Sequence, residues 1–282
     1  MLRIAVPNKG SLSEPASAML HEAGYRQRTH SKELVLVDPD NSVEFFFLRP
    51  RDIAVYVGSG RLDAGITGRD LLLDSGADAE EILQLGLAPA TFRWAAPVGG
   101  YTSAKELAGA RIASSYIGLV QRYLADQGVE AAAVVKLDGA VETAIQLGVA
   151  DVIADVVETG TTLRQAGLEI FGEPILHSEA VLIRRTGAEP SREVDQLVRR
   201  LQGVLVARRY VMMDYDIRAE RVEEAVALTP GLESPTVSPL HNEGWVAVRS
   251  MVPRRDAQRI MDDLWEIGAR AILVTGIHAC RI

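Results

Sequence analysis

The sequence holds a single cysteine, Cys280, among 282 residues, so a disulfide framework and a thiolate zinc site are both excluded. Near the C-terminus, that cysteine reads as a surface or edge-strand residue. No run of 18 apolar residues occurs, and PNKG stops the opening LRIAVP, so neither a membrane span nor a leader is read and a cytoplasmic protein is expected. Positive charge is in deficit: 30 Lys and Arg stand against 38 Asp and Glu, a net charge of -8. A general nucleic-acid binder needs the opposite balance to displace phosphate counterions. Any anionic ligand must therefore be held by a locally basic site. GxxxxGK[ST], HExxH, CxxC and GxSxG are missing, and GSGRLD (58–63) lacks the third glycine of a dinucleotide fingerprint and precedes a strand pattern. Walker-type, zinc and hydrolase readings lose support accordingly. Solenoid repeats and low-complexity tracts are absent too. What remains is an ordinary folded composition, 48% hydrophobic and 24% charged, which excludes disordered and fibrous architectures. The length alone suggests about two domains.

Periodicity refines that count. LRIAVP (2–7) reads as a strand, and Ser11 to Glu14 matches a capping box opening a helix with Leu12, Ala16, Met19 and Leu20 on one face. VEFFFLRP, helical DIAVYVGSG and apolar LDAGITG follow, so β, α, β, α, β predicts a largely parallel sheet. RWAAPV, ARIASSY, AAAVVKL and ADVIADVV read as strands of a second alternating run, with helices around 103–108, 117–127 and 140–148. EAVLIRR is a further strand, and Ser191 to Leu205 carries apolar residues at amphipathic helix spacing. Two such units suggest two lobes, with the ligand beyond the carboxyl ends of the strands in the cleft between them. The last 75 residues change rhythm to βαββαβ, the order of a ferredoxin-like unit, with Ile260, Met261, Leu264 and Trp265 on one helix face. The expectation becomes three compact units. Arg pairs at 199/200, 208/209 and 254/255 read as solvated or intersubunit surface.

The chemistry-bearing segment is DVVETGTTL (155–163), where an apolar strand runs into a Gly-centred loop rich in Thr and then a helical LRQAGL. Freed N–H groups at a helix start, hydroxyl donors and a glycine together form a phosphate cradle, although the same residues also serve to turn a chain and cap a helix. Glu158 inside that loop must point away from a phosphate or face a metal ion. Lys9 in PNKG and Arg49 in FFFLRP sit where strands end and suit polyphosphate, or else are plain surface charges. Asp70 in ITGRDLL could accept from a base amino group, or serve as a partner of the helix dipole. Asp138 in LDGAVE is an N-cap candidate first and a ligand second.

Together, PNKGSLSEP, FFFLRPRDI, GITGRDLL, LDGAVE and DVVETGTTL resemble the ATP phosphoribosyltransferase family. PGLESPTVSPL with the βαββαβ extension resembles its long, hexameric form. The resemblance runs along essentially the whole chain in order, and DVVETGTTL with GLESPT carries most of its specificity. It implies a bilobal, periplasmic-binding-protein-like (type II) α/β core with lobe I at 1–92 and 180–208 and lobe II at 93–179. An ACT-like, ferredoxin-like regulatory domain would occupy 209–282. The implied reaction joins N1 of the adenine of ATP to C1' of 5-phosphoribosyl 1-pyrophosphate, inverting that carbon and expelling pyrophosphate with Mg2+. This is the first step of histidine biosynthesis, with L-histidine as feedback inhibitor and a homo-oligomer (dimer and hexamer) as the assembly. Adenine N1 has a free lone pair, so no strong base is needed and catalysis rests on alignment and charge stabilisation.

Carried over by position, Glu158, Thr159, Gly160, Thr161 and Thr162 would hold the 5'-phosphate, and Asp155 would lie near the ribose hydroxyls. Lys9 and Arg49 would meet pyrophosphate or ATP phosphates, with Gly10, Asp70 and Leu71 lining the ATP site. The metal would ride on pyrophosphate and water, with no protein ligand assigned. Asp216 suits the histidine ammonium, and Leu232, Ser234, Thr236 and Ala271 suit its carboxylate and imidazole; GLESPT otherwise reads as a turn before an edge strand. Two other readings share the pattern: a two-lobed cytosolic sensor without activity, and a phosphoribosyltransferase for another base. A simple sensor would need only one anion site, where the cradle, Lys9 and Arg49 together suggest more.

Overall fold

The apolar runs become the central strands of three sheets. The structure, a computed structural model, describes residues 1–28, 30, 32–157 and 160–281. Its first part is β1 (Leu2–Pro7), α1 (Ser13–Glu22), β2 (Val35–Asp38), β3 (Val43–Leu48), α2 (Pro50–Gly58), β4 (Ala64–Gly68), α3 (Arg69–Ser75) and β5 (Ala79–Gln84). The chain then builds β6 (Ala90–Pro97), β7 (Arg111–Ser114), α4 (Ile117–Gln127), β8 (Ala133–Lys136), α5 (Thr143–Gln146), β9 (Val152–Val157), α6 (Thr161–Gln165) and β10 (Leu168–Ser178). It returns through β11 (Ala180–Arg185) to the long α7 (Arg192–Arg209). The remainder is β12 (Tyr210–Arg218), α8 (Val222–Leu228), β13 (Thr236–Pro239), β14 (Trp245–Pro253), α9 (Ala257–Glu266) and β15 (Arg270–Gly276).

The first sheet has the order β2-β3-β1-β4-β11-β5, and the second β10-β6-β9-β7-β8. Both are mixed where a largely parallel arrangement was expected. Only β3-β1-β4 and β9-β7-β8 pair in parallel. The short connection between β2 and β3 can close only an antiparallel hairpin, and β11 enters the first sheet antiparallel to β4 on its return from the second. The second sheet is buried on both faces. Phe92, Trp94, Ile112 and Val120 pack on one side, and Ala95, Ala113, Ile153 and Leu163 on the other. In the first sheet, Gly65 of β4 lies under α2, where a Cβ would meet the methyl groups of Ile53, Val57 and Ala5. That close approach sets how tightly helix and sheet pack.

The third sheet, β13-β14-β12-β15, carries α8 and α9 on one face, and Met213, Tyr215, Val248 and Leu264 form its core. The expected βαββαβ order is observed. Trp265 departs from expectation: it is 56% exposed, with the Arg270 guanidinium 4.3 Å from its ring, while Ile260 and Leu264 face inward. Two compact units result, one of Met1–Leu20 with Tyr25–Val194 and one of His21–Gly24 with Asp195–Ile282. Among the described residues no helix is long and apolar enough to cross a membrane.

Candidate active site

The site begins where the first-sheet strands end. After β1, Asn8 donates its N–H to the Leu48 carbonyl at 2.8 Å, which ties PNKG to the end of β3. Lys9 and Gly10 are exposed beyond it, with Gly10 at a φ of 76° that favours glycine. The Asn8 Oδ1 is buried without a partner among the described residues, an acceptor that a bound ligand could satisfy. After β4, Gly68 makes room for the Asp70 carboxylate, since a Cβ there would collide with Oδ1. Asp70 is 7% exposed; Ser178 Oγ donates to its Oδ1 at 2.7 Å and receives its N–H at 3.1 Å. Lys9, Gly10, Asp70 and Leu71 line one cavity of about 180 Å3 with Tyr116 and Val156 of the second sheet. Four residues from two sequence segments therefore meet in one place.

From the second sheet comes Tyr116, which the sequence reading did not single out. It sits in the turn from β7 into α4, edge-on to Phe92 at 5.1 Å, with the Arg51 guanidinium 4.8 Å from its ring. Burial first, and then the Asp70 carboxylate to which the phenol hydrogen-bonds, push its ionisation far above the ordinary tyrosine range. Tyr116 is thus a neutral donor at any physiological pH. Arg51 also donates to Asp74 and to the Ser115 carbonyl, both at 2.9 Å, joining the first-sheet helices α2 and α3 to this turn.

Asp155, near the end of β9, is half-buried and accepts the Val156 N–H at 2.8 Å. Burial pushes its carboxyl up; the Val156 N–H and the Arg51 charge oppose that, and the charges of Glu142 and Asp70 reinforce it. The electrostatic links place Asp155 in the same field as Asp70, Tyr116 and Arg51. Glu142, a second residue not singled out beforehand, holds the N-cap position of α5 that Asp138 was expected to fill. Asp138 is exposed.

The cradle segment follows. Gly160 is buried at a φ of 68° and forms the N-cap of α6, so Thr161 and Thr162 open that helix and are exposed at its start. A helix start presents N–H groups that have no carbonyl within the helix. Arg164 Nη2 donates to Thr161 Oγ1 at 3.3 Å. Glu158 and Thr159 lie outside the described residues. Arg49 is exposed at the N-cap of α2, directly before Pro50, which lines the cavity; Arg49 itself does not.

Two connecting segments, between β5 and β6 and between β10 and β11, join the sheets here. Arg69 forks onto Glu81 with both bonds at 2.9 Å and reaches Glu179 at 3.3 Å, and Glu179 receives the Gly86 N–H at 2.7 Å. A second cavity of about 370 Å3, lined by Arg69, Val157, His177 and Glu179, adjoins the first through Ala90 and Ser178. Among the described residues no group of three or more His, Cys, Asp or Glu is placed to hold a metal ion.

In the C-terminal unit, Asp216 is the register partner of Arg270, and Ala271, at a φ of 51°, lies in the irregular step beside it. Thr236 pairs with Arg249 on the far side of β14, and Leu232 and Ser234 precede it on the surface. At about 4.8 Å per strand, Thr236 lies roughly 10 Å from β12 and farther from β15. Asp216 and Ala271 come together in one chain, and Thr236 stands two strands away from Asp216.

The chain is similar to known proteins along its whole length. Residues 49–203 match the family model described as ATP phosphoribosyltransferase, and residues 207–279 match the one described as the HisG C-terminal domain. Relatives named ATP phosphoribosyltransferase from Streptomyces coelicolor and Arthrobacter are 72% and 69% identical, each over 100% of both chains. The ATP phosphoribosyl transferase (HisG:HisZ) complex from Thermotoga maritima contains a chain of similar structure, with a TM-score of 0.62 at 26% identity, covering 73% of this chain and 98% of that one.

Proposed function

The chain belongs to the ATP phosphoribosyltransferase family in its long form and joins ATP to 5-phosphoribosyl 1-pyrophosphate in histidine biosynthesis; from that premise we propose which residues hold each substrate. The observation that carries the assignment is the meeting of Lys9, Gly10, Asp70 and Leu71 in one cavity with Tyr116 and Val156. There the adenine of ATP would lie, with Lys9 and Arg49 directed at its phosphates or at the departing pyrophosphate. The loop from Glu158 to Thr162 would take the 5'-phosphate of the donor at the start of α6, and Asp155 would face the ribose hydroxyls. Asn8 and Tyr116 extend that set as hydrogen-bonding groups. Catalysis then rests on holding two polyanions in line, since adenine N1 attacks without a base and the charge growing on pyrophosphate needs cationic partners.

Mg2+ fits the residues present. The carboxyl of Asp155 is pushed up by burial, with the Glu142 charge adding to the effect, so nearby positive charge would favour its ionised form. Bound through pyrophosphate oxygens and water, the ion would neutralise leaving-group charge. The proposed division is lobe I at 1–92 and 180–208, lobe II at 93–179 and a regulatory domain at 209–282; three sheets support three units, while β6 already begins at Ala90 and Asp195 to Arg209 cluster with the C-terminal unit. The cytoplasm is the proposed location, where both substrates are made.

Histidine would act on the C-terminal unit. Within one chain β14 stands between Asp216 and Thr236, and β12 with β14 between Ala271 and Thr236. A complete effector site therefore calls for a homo-oligomer, in which the β15 side of one copy meets the β13 side of the next. Purified protein given ATP, 5-phosphoribosyl 1-pyrophosphate and Mg2+ is expected to release pyrophosphate and one coupled nucleotide, read by mass and absorbance, and to slow as histidine is added. Activity indifferent to histidine would remove the regulatory assignment and leave the catalytic one standing.

A further inference from the structure

A basic pocket in the C-terminal unit has no part in the catalytic assignment. Helix α7 ends at Arg208 and Arg209, β12 starts at Tyr210, and the register partner of Tyr210 is Pro253, the last residue of β14. Antiparallel pairing thus brings the first arginine pair to the second, Arg254 and Arg255, which opens a short 3-10 turn (Arg254–Asp256). The four arginines, Tyr210 and Pro253 line a cavity of about 620 Å3, a size typical of small-molecule sites.

Its guanidinium groups are differently engaged. Arg208 forks onto Glu22 at 2.8 and 2.7 Å and holds that carboxyl below the usual carboxylate range. Arg254 donates to the carbonyls of Arg208, Ala207 and Tyr210 at 3.1, 3.4 and 3.5 Å, so it closes the carboxyl end of α7 and is fixed in place by it. Arg255 is 88% exposed on its side chain and meets Asp256 at 3.5 Å, a carboxylate also shared with Arg259. Arg209 has no bonded or ion-paired partner among the described residues. Arg209 and Arg254 therefore carry charge that no carboxylate balances, in a chain whose net charge is -8.

We propose that this pocket binds an oligophosphate, either free or as the tail of a nucleotide. Planar guanidinium groups approaching one space from two elements suit phosphate oxygens, which they bond in pairs. An anion there would draw the end of α7 and the end of β14 onto one ligand, with Arg254 already held in position. The site lies in the C-terminal unit, separate in sequence from every residue assigned to the cleft.

The test is calorimetric binding of inorganic tripolyphosphate, and in a parallel arm GTP, to the whole protein at about 0.15 M salt. Arg209→Ala/Arg255→Ala leaves the helix-closing Arg254 untouched, and Lys9→Ala reports on the cleft. The expected result is a saturable site that weakens at least tenfold in the double arginine variant and persists in Lys9→Ala. Equal affinity for both probes identifies the phosphates as the recognised group, and tighter GTP identifies a nucleotide. Binding unchanged in the double variant, lost only in Lys9→Ala, or never saturating, overturns the proposal.

Discussion

A half-buried carboxylate pushed towards its protonated form is unfavourable to folding, and Asp155 is such a group. Its folded pKa is raised above the ordinary 3.8, so over the window just above that value the native state binds a proton that the unfolded chain does not. Stability then falls as pH rises through that window and stays lower beyond it. Asp155→Asn is accordingly expected to stabilise the protein at neutral pH by on the order of 1 kcal/mol, with the gain shrinking in acid, as read by urea unfolding. The same variant should lose about tenfold or more in kcat/KM, the pattern of a site kept at a cost in stability. Gly10, Leu71 and Asp155 are named through the family resemblance of their segments, whereas Lys9 and Asp70 could be proposed from the sequence itself because they follow strand ends. Tyr116, Glu142 and Ser178 could not. Each is an ordinary residue in its own segment, and only the packing of β7, α5 and β10 brings it to the cleft.

At the level of elements, the strands found from sequence were mainly those with continuous apolar runs. The three that escaped notice, β2, β5 and β10, are all edges of their sheets. An edge strand needs no unbroken apolar face: β5 (AEEILQ) is partly buried from Ala79 to Leu83 and exposed at Gln84, and β10 accommodates Gly172 and Pro174 in the irregular step between Phe171 and Leu176. Helix contacts were equally silent in the sequence. Gly118 at the start of α4 packs against the Asp74 carbonyl of α3, where any Cβ would collide, and Asp74 Oδ1 receives the Leu119 N–H at 3.2 Å. Gly118→Ala is therefore expected to destabilise by about 1–3 kcal/mol through overpacking. Thermal unfolding checks this, and because Arg51 and Tyr116 share that junction, kcat should fall as well.

On the scale of the whole molecule, an acidic chain can handle two polyanionic substrates if binding depends on local placement, with Lys9, Arg49 and the start of α6 as the proposed contacts where strands end. The C-terminal unit has its own core of Met213, Tyr215, Val248 and Leu264, which suits a separable regulatory role. Asp216→Ala should consequently raise the histidine concentration for half-inhibition at least tenfold while leaving uninhibited kcat within about twofold, a separation that steady-state assays resolve. The central claim is that one cleft holds both substrates, the phosphoribosyl donor at the α6 loop and ATP against the first-sheet strand ends. Its most direct test is initial-rate kinetics of Thr162→Ala and Arg49→Ala with each substrate varied in turn. The account predicts that Thr162→Ala raises KM for 5-phosphoribosyl 1-pyrophosphate about tenfold with little change for ATP, and that Arg49→Ala lowers kcat/KM for ATP by a similar factor. Wild-type kinetics in both variants would contradict it.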